Sequence, residues 1–151
     1  MKTRLFLLAV ALLTAFAFAG CNKENDTPEF KLADKLAGEW HCIVEQYNAD
    51  VYVAFYADGK FDEYQRLGEG GYRHYAGSWT LEKDILNGSY SDGIEWGSSY
   101  KVSFDGETMT LTAQNESQEA LTYTKETIPA EVKDSAIEPF ASRAEEDTRW
   151  F

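Results

Sequence analysis

Cysteine, histidine and proline are scarce in this 151-residue sequence, which contains two cysteines, two histidines and three prolines. Two cysteines can form at most one disulfide, so a disulfide-stapled secreted scaffold is excluded. Neither histidine has a cysteine or a second histidine at metal-ligand spacing, so the sequence predicts no zinc site and no cofactor. We therefore expect a fold that is held together by a packed hydrophobic core.

Basic residues are also few. The 14 lysines and arginines are outnumbered by 26 acidic residues, which gives a net charge of −12 at pH 7. Nucleic acids and anionic lipid head groups are bound by basic patches. The composition therefore predicts no nucleic-acid partner and no membrane binding through head-group charge.

A hydrophobic run long enough to cross a bilayer is missing as well. The longest largely apolar stretch, residues 5–19, follows the basic start Met-Lys-Thr-Arg. It is shorter than the roughly 20 residues that a transmembrane helix needs. A basic start, a short apolar stretch and small residues at its end are typical of a secretory signal peptide. A membrane anchor or a buried helix is the alternative, but we expect residues 1–20 to direct export and to be removed.

The expected cleavage site, residues 18–21, reads Phe-Ala-Gly-Cys and resembles the lipobox of bacterial lipoproteins. This resemblance implies that a diacylglyceryl group is attached to the thiol of Cys21, which becomes the first mature residue. The new amine is usually acylated too, and two or more acyl chains give stable anchoring. The mature chain is then a soluble domain that is held at a membrane through the lipid on Cys21.

The residues after Cys21 bear on location. Residues 22–26, Asn-Lys-Glu-Asn-Asp, resemble the short signal of lysine and acidic residues that sends some Gram-negative lipoproteins to the outer cell surface. An ordinary polar tether would have the same composition. We expect the protein to lie at the outer membrane, on its outer face.

From residue 38 to about residue 125, hydrophobicity alternates with period two. Val51, Val53 and Phe55 form the clearest run, and positions 100–104 and 109–111 repeat the pattern. Such alternation is typical of half-buried strands. Nine segments fit it, two of which are expected to form one strand: 38–47, 50–57, 60–67, 72–82, 84–87, 89–96, 99–104, 107–113 and 119–126.

Four dipeptides between these segments favour tight turns, because Asp-Gly and Asn-Gly accept the positive φ angles of type I′ turns. They are Asp58-Gly59, Asn87-Gly88, Asp92-Gly93 and Asp105-Gly106. No helical crossover separates the strands, so a parallel sheet is excluded. The sequence predicts an all-β fold, an antiparallel up-and-down barrel of about eight strands, since closure removes the exposed edges.

The segments on either side of the barrel are different. Residues 21–35 are expected to be the lipidated N-terminus and a tether, residues 36–126 the barrel, and residues 127–151 a tail. Pro129 is expected to begin a short helix that Pro139 ends. The final Trp150-Phe151 pair allows two interpretations, a disordered tail or an aromatic end that docks onto the barrel or a partner.

The barrel segment opens with Gly38-Glu39-Trp40, a Gly-x-Trp motif at the start of the first predicted strand. In this it resembles the lipocalins, and in particular small bacterial lipocalin-like lipoproteins, in which this Trp closes one end of the barrel. Residues 55–61, with their Asp-Gly turn, residues 77–81 and residues 100–111 extend the likeness over about residues 36–126. The arginine that packs over this Trp in lipocalins has no matching position here, and Arg66 and Arg73 are the alternatives.

Aromatic residues are abundant, with nine Tyr, nine Phe and four Trp. Barrels of lipocalin size can enclose one small ligand, so inward-facing aromatic residues either line a cavity or fill the barrel. Tyr and Trp carry a polar group that needs a partner when buried, which favours an apolar or semi-polar ligand. The predicted lining residues are Trp40, Phe55, Tyr64, Trp79, Trp96 and Tyr100, and we take all but Trp96 as the candidate ligand-binding set.

Residues that could support catalysis do not form a recognisable motif. His41 and His74 are expected to be surface or barrel-wall residues, and Asp62 and Glu63 to be exposed strand charges. Cys42 lies between Trp40 and Val44 and is expected to be a small buried hydrophobic residue. We therefore expect no enzymatic activity.

Two functions remain open from the sequence. The first is a lipid-anchored, lipocalin-like protein that binds a small apolar or semi-polar ligand. The second is a protein-interaction module, an accessory subunit or an inhibitor, that uses the barrel surface or the aromatic tail, with no partner identified. In addition, Asp134-Ser135-Ala136 resembles a short O-glycosylation acceptor, so Ser135 is a candidate glycosylation site.

Overall fold

A computed structural model describes residues 28–138 and 148–151 of the chain. Its eight strands form one closed barrel in which every strand is antiparallel to its neighbours and follows its neighbour in sequence. The strands are β1 Gly38–Val44, β2 Ala49–Phe55, β3 Lys60–Leu67, β4 Arg73–Glu82, β5 Ile85–Tyr90, β6 Tyr100–Asp105, β7 Thr108–Ala113 and β8 Ala120–Lys125. Pairing of Trp40 with Lys125 and of His41 with Thr124 closes the barrel. The predicted fold class is confirmed.

Among the described residues, two α-helices accompany the barrel, α1 at Pro28–Leu36 and α2 at Ala130–Ser135, and a 3₁₀ helix, Glu45–Tyr47, joins β1 to β2. Helix α2 was predicted, whereas residues 28–35 were assigned to the tether. Leu32, Ala33 and Leu36 recur at helical spacing and pack against the barrel core. The apolar stripe of α1 is only three residues long, and tertiary packing rather than local pattern stabilises so short a helix.

The Gly-x-Trp motif joins α1 to the barrel. Gly38 has φ +141°, a value that side-chain-bearing residues rarely adopt, and it turns the chain from α1 into β1. The indole N–H of Trp40 donates to the Leu36 carbonyl at 2.8 Å, which satisfies one of the unpaired carbonyls at the end of the helix. This end of the barrel is called the closed end.

The cation over the Trp40 ring comes from β8. The ammonium of Lys125 lies 5.7 Å from the ring centroid. Arg66 was one alternative from the sequence, but it lies on the outside of the barrel and pairs with Asp50 at 2.7 Å. The strand pairing of Trp40 with Lys125 brings the lysine to this position.

The turns agree with prediction at three of four dipeptides. Asp58-Gly59 and Asp92-Gly93 lie in turns, Asp105-Gly106 spans the end of β6 and the start of its turn, and Asn87-Gly88 lies inside β5. In place of the predicted segments 84–87 and 89–96, the structure has one strand, β5, followed by a loop that carries Trp96 back to it. Gly88 lies within this strand because the ring of Trp96 packs directly on it and needs the space that a side chain would fill.

The barrel's other end is called the open end. It is formed by the β1–β2, β3–β4, β5–β6 and β7–β8 connections, residues 45–48, 68–72, 91–99 and 114–119. The pairing between β5 and β6 is short, with two residue pairs. The 91–99 connection instead folds back on β5, since the Tyr90 backbone N–H donates to the Ile94 carbonyl and the Trp96 backbone N–H donates to the Gly88 carbonyl.

Candidate ligand-binding interior of the barrel

The inward face of β3 carries a polar stripe. Phe61, Glu63 and Gln65 alternate with outward residues, and the exposed fractions of Glu63 and Gln65 are 0% and 2%. The expectation that Glu63 is an exposed strand charge is therefore wrong. Period-two alternation from Phe61 already places positions 63 and 65 on the inward face, but their polarity argued for the outside.

Glu63 lies at the centre of the interior. Its Oε2 accepts a hydrogen bond of 3.3 Å from the Tyr90 hydroxyl, and the backbone of Trp150 also favours the charged form of this carboxyl group. Burial nonetheless raises the pKa of Glu63 from 4.5 to about 8. Desolvation outweighs these interactions and the attraction of Arg149, so Glu63 is mainly protonated at neutral pH.

Residues 148–151 lie inside the barrel and are called the plug segment. Gln65 Nε2 donates to the Thr148 carbonyl at 2.6 Å, and the Phe151 backbone N–H donates to the Tyr90 hydroxyl at 3.1 Å. Of the two interpretations of the aromatic end, docking is the one the structure shows, and the docking is internal. Residues 139–147, on which part of the tail prediction falls, lie outside the described residues.

The Phe151 ring occupies the middle of the aromatic core. It stacks on Trp96, with ring centroids 4.3 Å apart and planes at 23°. Phe55, Phe61 and Tyr100 surround it at centroid distances of 5.6 to 6.5 Å. These tilted and edge-to-face contacts are the preferred geometries of aromatic pairs.

The two preceding side chains have partners of their own. The Trp150 indole N–H donates to the Tyr123 hydroxyl at 2.7 Å. The Arg149 guanidinium makes two bonds of 3.0 and 2.5 Å to Asp92, in the 91–99 connection, and lies 4.5 Å from the Tyr90 ring centroid. Arg149 thus ties the plug segment to the rim of the open end.

Space remains above the plug segment. A cavity of about 520 Å³ lies at the open end, within the range of typical ligand sites. The residues that line it are Tyr47, Leu67, Tyr100, Ala113, Asn115, Ser117, Glu119, Leu121, Thr148, Arg149 and Trp150. The barrel wall therefore contributes apolar side chains and the rim contributes polar ones.

The predicted ligand-binding residues are divided by the structure. Tyr100 lines the cavity. Trp40, Phe55 and Trp79 belong to the buried core below it. Tyr64 lies on the outer face of β3, opposite to the predicted direction, because it alternates with inward Glu63 and Gln65.

Tyr64 belongs instead to an outer ladder of rings across four strands. His41, Tyr52, Tyr64 and His74 are direct cross-strand neighbours on β1 to β4. His41 stacks on Tyr52 at 4.0 Å and His74 on Tyr64 at 4.7 Å. Val132 of α2 packs over this wall, so an outward tyrosine is partly buried here.

Each histidine of the ladder binds carboxylates. His41 lies 2.8 Å from Asp50 and 2.9 Å from Glu126. His74 lies 2.8 Å from Asp62 and also contacts Glu138. The hydrogen bond to Asp62 is the main reason that the pKa of His74 is raised to about 9. Both histidines are barrel-wall residues, as the sequence indicated, and both are hydrogen-bonded to carboxyl groups.

Three candidate residues from the sequence remain, Cys42, Ser135 and Cys21. Cys42 is buried and inward-facing, and burial raises the pKa of its thiol to about 11, so the thiol stays protonated. Ser135 is exposed at the last position of α2. Cys21 lies outside the described residues. Within residues 28–138 and 148–151 there is no cluster of three metal-ligating side chains and no helix able to span a membrane.

Sequence reasoning missed Glu63, Gln65, Tyr90 and Tyr123 as site residues. The alternation along β3 was a usable signal for the first two, since Phe61 fixes which face is inward. No local signal marks Tyr90 or Tyr123, because their partners come from the plug segment, more than 25 residues away in sequence.

No match was found among curated proteins. A family model described as a lipocalin-like domain matches residues 23–111, which is more than half of the chain. The match covers α1, the Gly-x-Trp motif and the first six strands, and the closed eight-strand barrel agrees with it. The chain belongs to the lipocalin-like family.

Proposed function

We propose that this protein is a non-enzymatic, lipid-anchored lipoprotein of the outer membrane whose barrel binds a small apolar or semi-polar ligand. The cavity of about 520 Å³ at the open end carries this proposal. Apolar walls with a few converging polar groups are the usual composition of small-molecule sites. Family membership is compatible with such binding, although a fold by itself does not assign a ligand.

A cavity-filling variant tests ligand binding. Leu121→Trp places an indole in the cavity, whereas Thr122→Trp places it on the outside of the same strand, where residue 122 is exposed. With the fluorescent probe N-phenyl-1-naphthylamine, we expect Leu121→Trp to weaken binding at least about tenfold, because bound probe and indole would share the same space. Thr122→Trp is expected to leave the dissociation constant of the probe unchanged. Equal affinities in the two variants would contradict interior binding.

Anchoring is tested separately in cells. We expect Cys21→Ala to abolish incorporation of a labelled fatty acid and to move the protein from the outer-membrane fraction to the soluble fraction, because the thioether cannot form. Protease treatment of intact cells bearing the unmodified chain is expected to degrade it, since we place it on the outer face. Fatty-acid labelling of Cys21→Ala would contradict the proposed anchor, and protection of the unmodified chain would contradict surface display.

The interaction-module alternative is less well supported. It relied in part on an aromatic tail that is available to a partner. The structure buries Phe151, whose exposed fraction is 7%, among the rings of the core.

A further inference from the structure

The plug segment is held in the way that a protein holds a bound peptide. Gln65 and Tyr90 bond backbone groups of it, at Thr148 and Phe151, and Glu63 lies beside the backbone of Trp150. The three polar side chains follow the segment from the open end toward the middle of the barrel.

Three side chains of the plug segment, those of Arg149, Trp150 and Phe151, also have pockets of their own. Arg149 lies between Asp92 and the rings of Tyr75 and Tyr90. Trp150 bonds Tyr123, and Phe151 fills the space inside the aromatic core. In order along the segment, these pockets accept a cation, an indole ring and a phenyl ring. Together they favour one peptide pattern, a basic residue followed by two aromatic residues.

The plug segment does not use all of the bonding capacity of these pockets. Glu63 Oε1 and Gln65 Oε1 are buried and have no hydrogen-bond partner among the described residues. A buried polar atom without a partner costs roughly 1 to 3 kcal/mol. A ligand with an N–H donor beside Gln65 and an acceptor beside Glu63, whose protonated carboxyl group donates, would pair both atoms and would bind more favourably at this position.

From these contacts we propose that the barrel interior is a site for aromatic, peptide-like ligands, and that the plug segment is a resident competitor for it. This inference rests on the proposed function, because it names the ligand chemistry of the same interior. The ligand class is a peptide with a basic residue followed by two aromatic residues.

The competition is intramolecular. Ile137 is fixed to the barrel, since its backbone bonds those of Tyr72 and His74, and the plug segment begins at Thr148. A short linker gives effective concentrations on the order of millimolar. A free ligand must bind tightly enough to displace the plug segment. Weak ligands are therefore excluded, and ligands that also pair Glu63 and Gln65 can bind.

The test uses the mature chain and the peptide Thr-Arg-Trp-Phe, labelled with fluorescein at its N-terminus, with binding followed by fluorescence anisotropy. Trp150→Ser/Phe151→Ser empties the site, whereas Arg149→Gln keeps both aromatic residues and weakens the tie to Asp92 and the contacts with the Tyr75 and Tyr90 rings. Lys101→Gln removes a cation from the exposed outside of β6 and is the matched control. A peptide with Ser in place of Trp and Phe controls for the label.

We expect the double variant to bind the peptide at least about tenfold more tightly than the unmodified chain, because its plug segment no longer competes for the site. Arg149→Gln is expected to have an intermediate peptide affinity, because its plug segment competes less strongly. Lys101→Gln is expected to match the unmodified chain, and the serine peptide is not expected to bind. If the double variant does not fold, as judged by near-ultraviolet circular dichroism, Arg149→Gln decides, and no gain in peptide affinity overturns the inference.

N-phenyl-1-naphthylamine separates the two proposals. A folded double variant that binds this probe but not the peptide would overturn the peptide preference and leave small-ligand binding standing. A folded double variant that binds neither would overturn both. Displacement of the bound probe by the peptide would support both.

Discussion

Replacement of Gly77 by alanine is expected to destabilise the barrel by about 3 kcal/mol or more, the upper part of the range for overpacked cores. A Cβ atom at Gly77 would lie 2.1 Å from the Ser89 carbonyl oxygen and 2.7 Å from the Phe61 ring. The closer contact is with backbone of the neighbouring strand, so no side-chain rotation relieves it. Chemical denaturation followed by fluorescence measures the loss.

Gly71→Ala is the matched control for this substitution. A Cβ atom there meets no atom within 4 Å, and its φ is not in the positive range. We expect a change within about 0.5 kcal/mol, as for most surface positions. Equal effects at the two positions would contradict the close packing of β4 against β5 and Phe61.

Replacement of Glu63 by glutamine is expected to stabilise the protein at alkaline pH. The expected gain is on the order of 3 to 5 kcal/mol, which follows from the difference between the pKa values of Glu63 in the folded and unfolded chains. Burial raises the pKa of Glu63 from 4.5 to about 8 in the folded chain. Glutamine has nearly the same shape as the protonated acid and does not ionise. Unfolding free energies of both chains, measured from about pH 4 to about pH 9, provide the test.

The direction follows from proton binding. Between pH 4.5 and about 8 the folded chain keeps the proton on Glu63 and the unfolded chain loses it. Stability from this group is therefore complete below pH 4.5, falls as the pH rises, and reaches its minimum above about pH 8. The variant lacks this loss, so the two chains should have similar stability in acid and should diverge as the pH rises.

Asp62→Asn, at the next position on β3, is the contrasting control. Asp62 faces outward, and its hydrogen bond with His74 lowers its pKa. Its contribution is present above its unfolded pKa of 3.8 and is lost in acid, so the variant should be less stable than the unmodified chain at neutral pH. Destabilisation by Glu63→Gln at alkaline pH would contradict a buried, protonated Glu63.

The barrel could be predicted from the sequence because its determinants are local. The alternation at Val51, Val53 and Phe55 and the turn at Asp58-Gly59 each depend on neighbouring residues. The prediction failed at Asn87-Gly88, where a turn-like dipeptide lies inside β5 because Gly88 accommodates Trp96. That contact is tertiary, and local turn propensity does not include it.

The site was less predictable, because its polar residues are buried only in the presence of a distant segment. Hydrophobicity placed Tyr64 inside and Glu63 outside, which is one residue out of register. The outer wall at Tyr64 is covered by α2, and the interior at Glu63 is matched by Tyr90 and the plug segment. Both reversals depend on residues after 127, whose docking positions the strand pattern does not encode.

Ligand location can be measured directly by two-dimensional NMR of the mature chain during titration with N-phenyl-1-naphthylamine. If the interior is the ligand site, resonances of Tyr100, Ala113 and Leu121, which line the cavity, shift with the titration. Resonances of Tyr52 and Val132, on the outer wall, stay in place. Shifts confined to the outer wall, with the cavity residues unchanged at saturation, would contradict ligand binding inside the barrel.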